Sequence, residues 1–373
     1  MPPVPLLEEV DRALFELAPA VRLLAAVTPV NARAEGQRLY AAYAAGGEAS
    51  PRWRYAVPPP PPLVGLERLS RLLGGCEGTV VDLYRARIDE LILEARMIEA
   101  VGTPAFGGLA SERFRPRDVD ERAADELATR WRAEGPATER GAVRPTDGDD
   151  ARCLAPRMRR ELARLGLTFE VRLVADLASL AATGARAIYV ASGRSVTDAV
   201  ARRTVHHEVH GHALPRARAR SSPLRLLGAG TASAHDQQEG LALVLEERAR
   251  FLAAPRRSEL ARRHGAVRAM CEGATFVDVV RWLRNECDAT PEEAVGVAVR
   301  AFRGADGAHP GLGRERIYLP SFVRVRAHLA AHPADEAVLS SGQISIEAVP
   351  LLRRFVTSRA DTPSRSRRPT PPP

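Results

Sequence analysis

Seven consecutive residues constrain this chain more than any other stretch. His206-His207-Glu208-Val209-His210-Gly211-His212 holds four of the chain's nine histidines and one carboxylate. Imidazoles and a carboxylate at that density suit a transition-metal ion, and His207 and His212 flank a glutamate placed to polarise a metal-bound water. A catalytic site needs a further ligand, so the fold must bring a second element to this one. Gln237-Gln238-Glu239-Gly240-Leu241-Ala242 offers the carboxylate of Glu239 from the next helix. Taken alone, Glu239 is also what a helix start favours for its dipole.

The spacing sets a geometric problem. Residues four apart on an α-helix lie about 40° from one another, and residues five apart about 140°. His207 and His212 are five apart, so both face one ion only where the backbone leaves regular helix. Gly211 supplies the means, either as a left-handed residue beyond the last turn or beside a π-bulge. His206 and His210, four apart, form a rival pair that would face one ion on an undistorted helix. Glu208 would then point away from the metal, so the chemistry favours His207 and His212, with His206 and His210 as alternative ligands. Without a metal, the imidazoles would be helix C-terminal cations or core fillers. Glu246 and Glu247 read as surface charges, although either would suit the orientation of a ligand histidine.

Composition narrows the function classes. A length of 373 residues allows one large domain or two to three ordinary ones. Aromatic residues make up 5% of the chain, too few for a base-stacking platform. All 54 Lys+Arg residues are arginine, as codon bias in a GC-rich genome would produce. A net charge of +8 permits acidic partners, but most arginines alternate with acids, as from Arg85 to Arg96. That is the pattern of solvated helix faces, and it predicts no specific nucleic-acid partner. The compact basic run Arg365-Ser366-Arg367-Arg368 lies in the tail. Cys76, Cys153, Cys271 and Cys287 show no Cys-x-x-Cys spacing, which favours reduced, buried thiols and a cytoplasmic protein. The early acids Glu8, Glu9 and Asp11 lead us to expect no secretory signal, and without an apolar run of about 18 residues no membrane partner is expected.

Periodicity predicts a predominantly helical α+β chain. Helices are expected over 6–27, from an Asn31 cap to 43, over 79–101 and over 119–131. Between them, 46–62 is an extended, polyproline-like connector, and 134–150 is a loop. Strands are expected over 168–174 and 187–191. Ser195-Val196-Thr197-Asp198 then opens, with a capping-box-like start, the helix that runs into the histidines. Asp236 is expected to cap the helix carrying Glu239, which runs to about 252. Further helices follow over 258–272, 276–288, 290–302, 321–331 and 346–357, with a glycine-rich loop at 304–315. The organisation read from this is an N-terminal helical region with its proline-rich connector (1–150), a catalytic domain with a small sheet (151–356) and a disordered Arg/Ser/Pro tail (357–373).

His207-Glu208-x-x-x-His212 followed by Gln238-Glu239-Gly240-Leu241-Ala242 resembles the QEGLA-motif family. That family includes bacterial flavohaemoglobin expression-modulating proteins and eukaryotic microtubule-associated tyrosine carboxypeptidases. Leu24–Glu35, Tyr84–Phe106, Arg300–Gly304 and Ile317–Leu319 also look like family segments. The resemblance implies a zincin-like metallopeptidase domain, Zn2+ held by His207, His212 and Glu239, and Glu208 as catalytic acid/base. It further implies a carboxypeptidase removing an aromatic, tyrosine-like residue from the C-terminus of a peptide or protein. Such an enzyme needs a cation for the terminal carboxylate, for which Arg303, Arg314 and Arg316 are candidates, while Tyr318 could donate to the oxyanion. The chain departs from the family pattern at His210, where relatives carry glycine. It departs also in the arginine-rich Arg216–Arg225 and in Gly313–Arg316, so the substrate pocket transfers least. The competing readings are a non-catalytic, metal-binding regulatory protein and a zinc hydrolase of a non-peptide amide or ester.

Overall fold

The helices follow apolar spacing. Thr79–Ala100 buries Val81, Tyr84, Ile88, Leu91, Ala95 and Ile98, in alternating steps of three and four that keep one face inward. Capping boxes start Phe276–Glu286, from Thr275 and Asp278, and Pro291–Phe302, from Thr290 and Glu293. The computed structural model describes residues 4–360 apart from 136, 138, 176 and 178. Helix accounts for 62% of the protein and the sheets are small, which makes it a predominantly helical α+β fold.

Five strands are described. β1 (Val143–Pro145) and β5 (Ser195–Thr197) pair antiparallel. In the second sheet β4 (Ala187–Ala191) is central, parallel to β2 (Glu170–Val174) and antiparallel to β3 (Ala181–Thr183). β1 lies in the expected loop 134–150, and β3 lies between the two expected strands. Three residues are too few for alternation to register.

Other boundaries move for local reasons. The helix expected over 6–27 ends at Leu17, and a 3-10 turn at Ala18–Ala20 precedes the short helix Leu23–Ala26. Pro19 has no N–H for a continuing helix. Asn31 flanks Ala32–Ala44 without capping it: its amide donates to the Arg52 carbonyl and its oxygen accepts from the Arg54 N–H, both at 2.9 Å, which pins the extended connector. Ser195 belongs to β5, and the cap of the next helix is Thr197, whose hydroxyl accepts from the Val200 N–H at 3.2 Å. Asp236 caps nothing and instead accepts from Arg113 at 2.8 Å; the helix Ala234–Arg248 begins after Ser233, at a φ of 60°. The last helix, Val349–Ala360, runs past the expected start of the tail, and 361–373 lie outside the described residues. Of the four free cysteines only Cys153 is buried, and Cys271 is exposed.

Packing crosses residue 150. Val10, Leu14, Leu66 and Ile88 share a core with Leu226 and Ala229, while Ala124, Leu127 and Trp131 pack with Leu241, Val244 and Phe322. A third core joins β4 (Ile188, Val190) and the helix Leu154–Arg164 (Met158, Leu162) to Val205, Val209 and Ala213 of the histidine segment. Burying those three at four-residue intervals turns the opposite side of the segment to a cavity. No described helix is long and apolar enough to cross a membrane.

Candidate active site

The histidine cluster sits in one continuous rod. Asp198–His206 is α-helical, His207–Ala213 is π-helical, and Leu214–Arg220 returns to α. A π-helix bonds each carbonyl to the residue five ahead, so residues five apart come back to one side of the axis. His207 and His212 do so, with their Nε2 atoms 3.3 Å apart. Of the two distortions open to Gly211, the π-helical one is adopted, since Gly211 is not among the left-handed glycines. A Cβ at Gly211 would lie 2.6 Å from the Cβ of Ala242, so glycine lets this rod lie against Ala234–Arg248.

That contact delivers Glu239. Its Oε2 lies 3.4 Å from His207 Nε2 and 3.6 Å from His212 Nε2. Ligands about 2.0–2.1 Å from a tetrahedral ion stand about 3.3 Å from one another, which is close to the spacing of this triangle. Two nitrogens and one oxygen at those separations fit zinc, and three protein ligands leave a position for water or substrate. The rest of the second motif holds the third donor in place. Gln237 bonds Glu347 and the Ile346 N–H, and Gln238 donates to the Gly342 carbonyl. A Cβ at Gly240 would lie 2.4 Å from the Ser321 carbonyl oxygen, so glycine seats this helix on Tyr318–Ala331.

Around the triangle the charges are paired. His207 Nδ1 lies 2.7 Å from Glu246 Oε1, and Glu246 is held in turn by Arg256 at 3.0 and 3.1 Å. Burial opposes charge on His207, but Glu239 and Glu246 outweigh it and push the imidazole up to about 10. Burial likewise opposes charge on Glu246, yet Arg256 and His207 hold it at about 2. Glu246 is fully buried, whereas Glu247 pairs at the surface with Arg326, so only Glu247 is the expected surface charge. Glu246 follows Glu239 by seven residues and so shares its helix face, a signal present in the sequence. His206 and His210 stack on each other 4.7 Å apart, away from the triangle: His206 Nε2 lies 3.2 Å from the Leu245 carbonyl, and His210 Nε2 2.8 Å from Glu161. Glu208, buried, accepts from the Thr183 hydroxyl of β3 at 2.7 Å through Oε2.

A cavity of about 710 Å³ opens over these residues. Glu208, His207, His212 and Glu239 line it together with Tyr318, Arg216, Arg303 and Arg314. Arg314 donates to Glu239 Oε1 at 2.9 Å, so it holds the candidate ligand and is not free for substrate. Arg316 forks onto Glu121 at 2.6 and 3.0 Å and does not line the cavity. Arg303 faces the cavity with a single hydrogen bond, to the Arg300 carbonyl at 3.4 Å, and burial lowers it to about 10. Burial also pushes the Tyr318 phenol up to about 12. Thr183 and Arg216 were not legible as site residues. Thr183 sits on a strand too short to recognise, and Arg216, four residues after His212, was hidden among the many arginines of its segment.

The family model of the microtubule-associated tyrosine carboxypeptidases matches residues 66–366, which include both motifs and every residue of the triangle. The chain belongs to that family. No curated protein matches it. Membership places this microtubule-associated tyrosine carboxypeptidase relative among peptidases, whose substrates are peptides or proteins.

Proposed function

We propose that this family member is a zinc-dependent carboxypeptidase that removes a C-terminal aromatic, tyrosine-like residue. The observation that carries the reading is the His207, His212 and Glu239 triangle with Glu208 on the same π-helical segment. A zinc ion held by those three side chains supplies Lewis acidity to the scissile carbonyl and to the attacking water. Glu208, with Oε2 fixed by Thr183, takes the water's proton and passes it to the leaving amine. Tyr318 keeps its phenolic proton across neutral pH and offers it in a hydrogen bond to the developing oxyanion. Arg303 offers a positive charge to an acidic side chain of the substrate. Leu23, Leu91, Phe114 and Leu180 give the cavity an apolar wall that suits an aromatic side chain. The four free cysteines agree with a reducing, cytoplasmic setting.

The test is Glu208→Gln, assayed on peptides ending in tyrosine beside metal analysis. The variant is expected to keep its zinc and to lose about 10²- to 10⁴-fold in kcat. Protein purified without zinc from zinc-replete cells, or a variant as fast as wild type, would refute the reading.

A further inference from the structure

Two of the buried or half-buried arginines lining the cavity end on no carboxylate among the described residues. Every other half-buried or buried arginine lining it has an acidic partner, as Arg314 has Glu239, Arg300 has Glu315 and Arg263 has Glu259. Arg303 and Arg216 have no ion pair among the described residues, and the Nε of Arg216 is buried without a hydrogen-bond partner. A guanidinium left unpaired in a cavity is unfavourable unless a ligand brings the anion.

The two differ in position. Arg216 lies on Leu214–Arg220, the continuation of the histidine rod, four residues after His212 and therefore on the side that His212 turns to the cavity. Burial opposes its charge and lowers it to about 10; the acids that most favour the charge are Glu208 and then Glu239. It is thus charged at neutral pH and lines the same cavity as the proposed acid/base and the third ligand. Arg303, at the end of Pro291–Phe302, instead feels Glu315 first, then Arg300, Arg314 and Tyr318.

We infer that Arg216 anchors the terminal carboxylate of the substrate and so makes the site cut one residue from a free C-terminus. The inference rests on the carboxypeptidase reading above. In an exopeptidase the carboxylate lies a single residue from the scissile carbonyl, at most about 3.6 Å along the chain. The anchor must therefore stand close to the general base, and Arg216 lines the same cavity about one helical turn beyond His212. A guanidinium fork meets a carboxylate with two parallel hydrogen bonds, whereas a carboxamide offers one acceptor and no charge. Arg216 is therefore a specificity-determining residue, and it leaves proton transfer to Glu208.

The experiment uses zinc-loaded, full-length Glu208→Gln protein and a peptide ending in tyrosine, as the free acid and as the C-terminal amide. Binding is measured by calorimetry. The acid is expected to bind at least tenfold tighter than the amide, and Arg216→Met in the same background to remove the preference. Arg216→Lys, which keeps the charge without the fork, is expected to retain part of it, and Arg303→Ala to retain it whole. Because Arg216 is unpaired in the free protein, Arg216→Met is also expected to leave Tm unchanged or raised. A preference that survives Arg216→Met, or that Arg303→Ala removes instead, overturns the assignment. Absence of any preference overturns it as well. Acid preference that depends on Arg216 in a protein that cleaves nothing would keep the anchor and sink the peptidase reading instead.

Discussion

Gly211 and Ala242 touch: a Cβ on Gly211 would stand 2.6 Å from that of Ala242 and 3.2 Å from its Cα. The histidine rod and the Glu239 helix meet at this point, so the separation of the two motifs depends on it. Gly211→Ala is expected to destabilise the protein by about 1–3 kcal/mol, the usual cost of overpacking, and to weaken zinc binding. Ala242→Gly opens the same space and is expected to restore zinc affinity in the double variant, although glycine within a helix costs about 1 kcal/mol. Thermal unfolding and chelator competition on all three variants check this. Independent, additive effects would show that the contact does not set the ligand spacing.

Zinc content should separate the two histidine pairs. His207→Ala, His212→Ala and Glu239→Ala are each expected to lose the metal, while His206→Ala and His210→Ala keep it, because His206 and His210 face Leu245 and Glu161. Loss of metal on changing His210 but not His207, read by atomic emission, would reverse the ligand assignment.

Glu246 is expected to matter as much as a ligand's neighbour can. Glu246→Gln keeps an acceptor for His207 but removes the charge that Arg256 neutralises. A fall of about 10- to 100-fold in zinc affinity is expected, the usual effect of losing a partner that orients a ligand histidine. Competition with a chromophoric chelator measures it; an affinity within twofold of wild type would mean that His207 needs no such support.

Thr183 should act on turnover. Its hydroxyl fixes Glu208 Oε2 at 2.7 Å, so Thr183→Val is expected to lower kcat about tenfold with little change in KM, in line with the roughly 1.5–3 kcal/mol of a hydrogen bond to a charged group. Thr183→Ser retains the hydroxyl and should retain most of the rate. Equal losses in the two variants would point to packing of β3 instead.

Glu315 supplies a pH dependence of stability. Burial raises its pKa, but Arg300, Arg303 and Arg263 prevail and hold it at about 2, below the 4.5 of a free glutamate. A depressed carboxylate stabilises the fold fully above pH 4.5 and loses that contribution as pH falls towards 2. At about 1.4 kcal/mol per pKa unit the effect is at most roughly 3 kcal/mol. Glu315→Gln is therefore expected to be less stable than wild type at pH 6 and to close much of that gap by pH 3, as read by urea denaturation. A gap that stays constant across this range would show that Glu315 does not carry the acid sensitivity.

The long helices were legible because their apolar spacing runs for many residues, as in Thr79–Ala100. β1 and β3 were not, being three residues each. Asn31 and Asp236 show the limit of local rules. Both have the chemistry of a cap, yet Asn31 ties down the connector at Arg52 and Arg54, and Asp236 answers Arg113, more than a hundred residues away.

The sequence by itself determined the candidate donors, His207, His212 and Glu239 with Glu208 beside them, and it required the backbone to leave the α-helix, because a five-residue spacing cannot face one ion otherwise. The tertiary structure decided which distortion is used and where each charge ends. A π-helical turn is marginal in isolation; here Val209 and Ala213, in one core with Ile188 and Val190, accompany it on one side, and Gly211 against Ala242 on the other. A guanidinium's partner depends on which element approaches it, so among so many arginines only the folded chain distinguishes Arg314 on Glu239 and Arg316 on Glu121 from Arg216, which faces the cavity without an acid of its own.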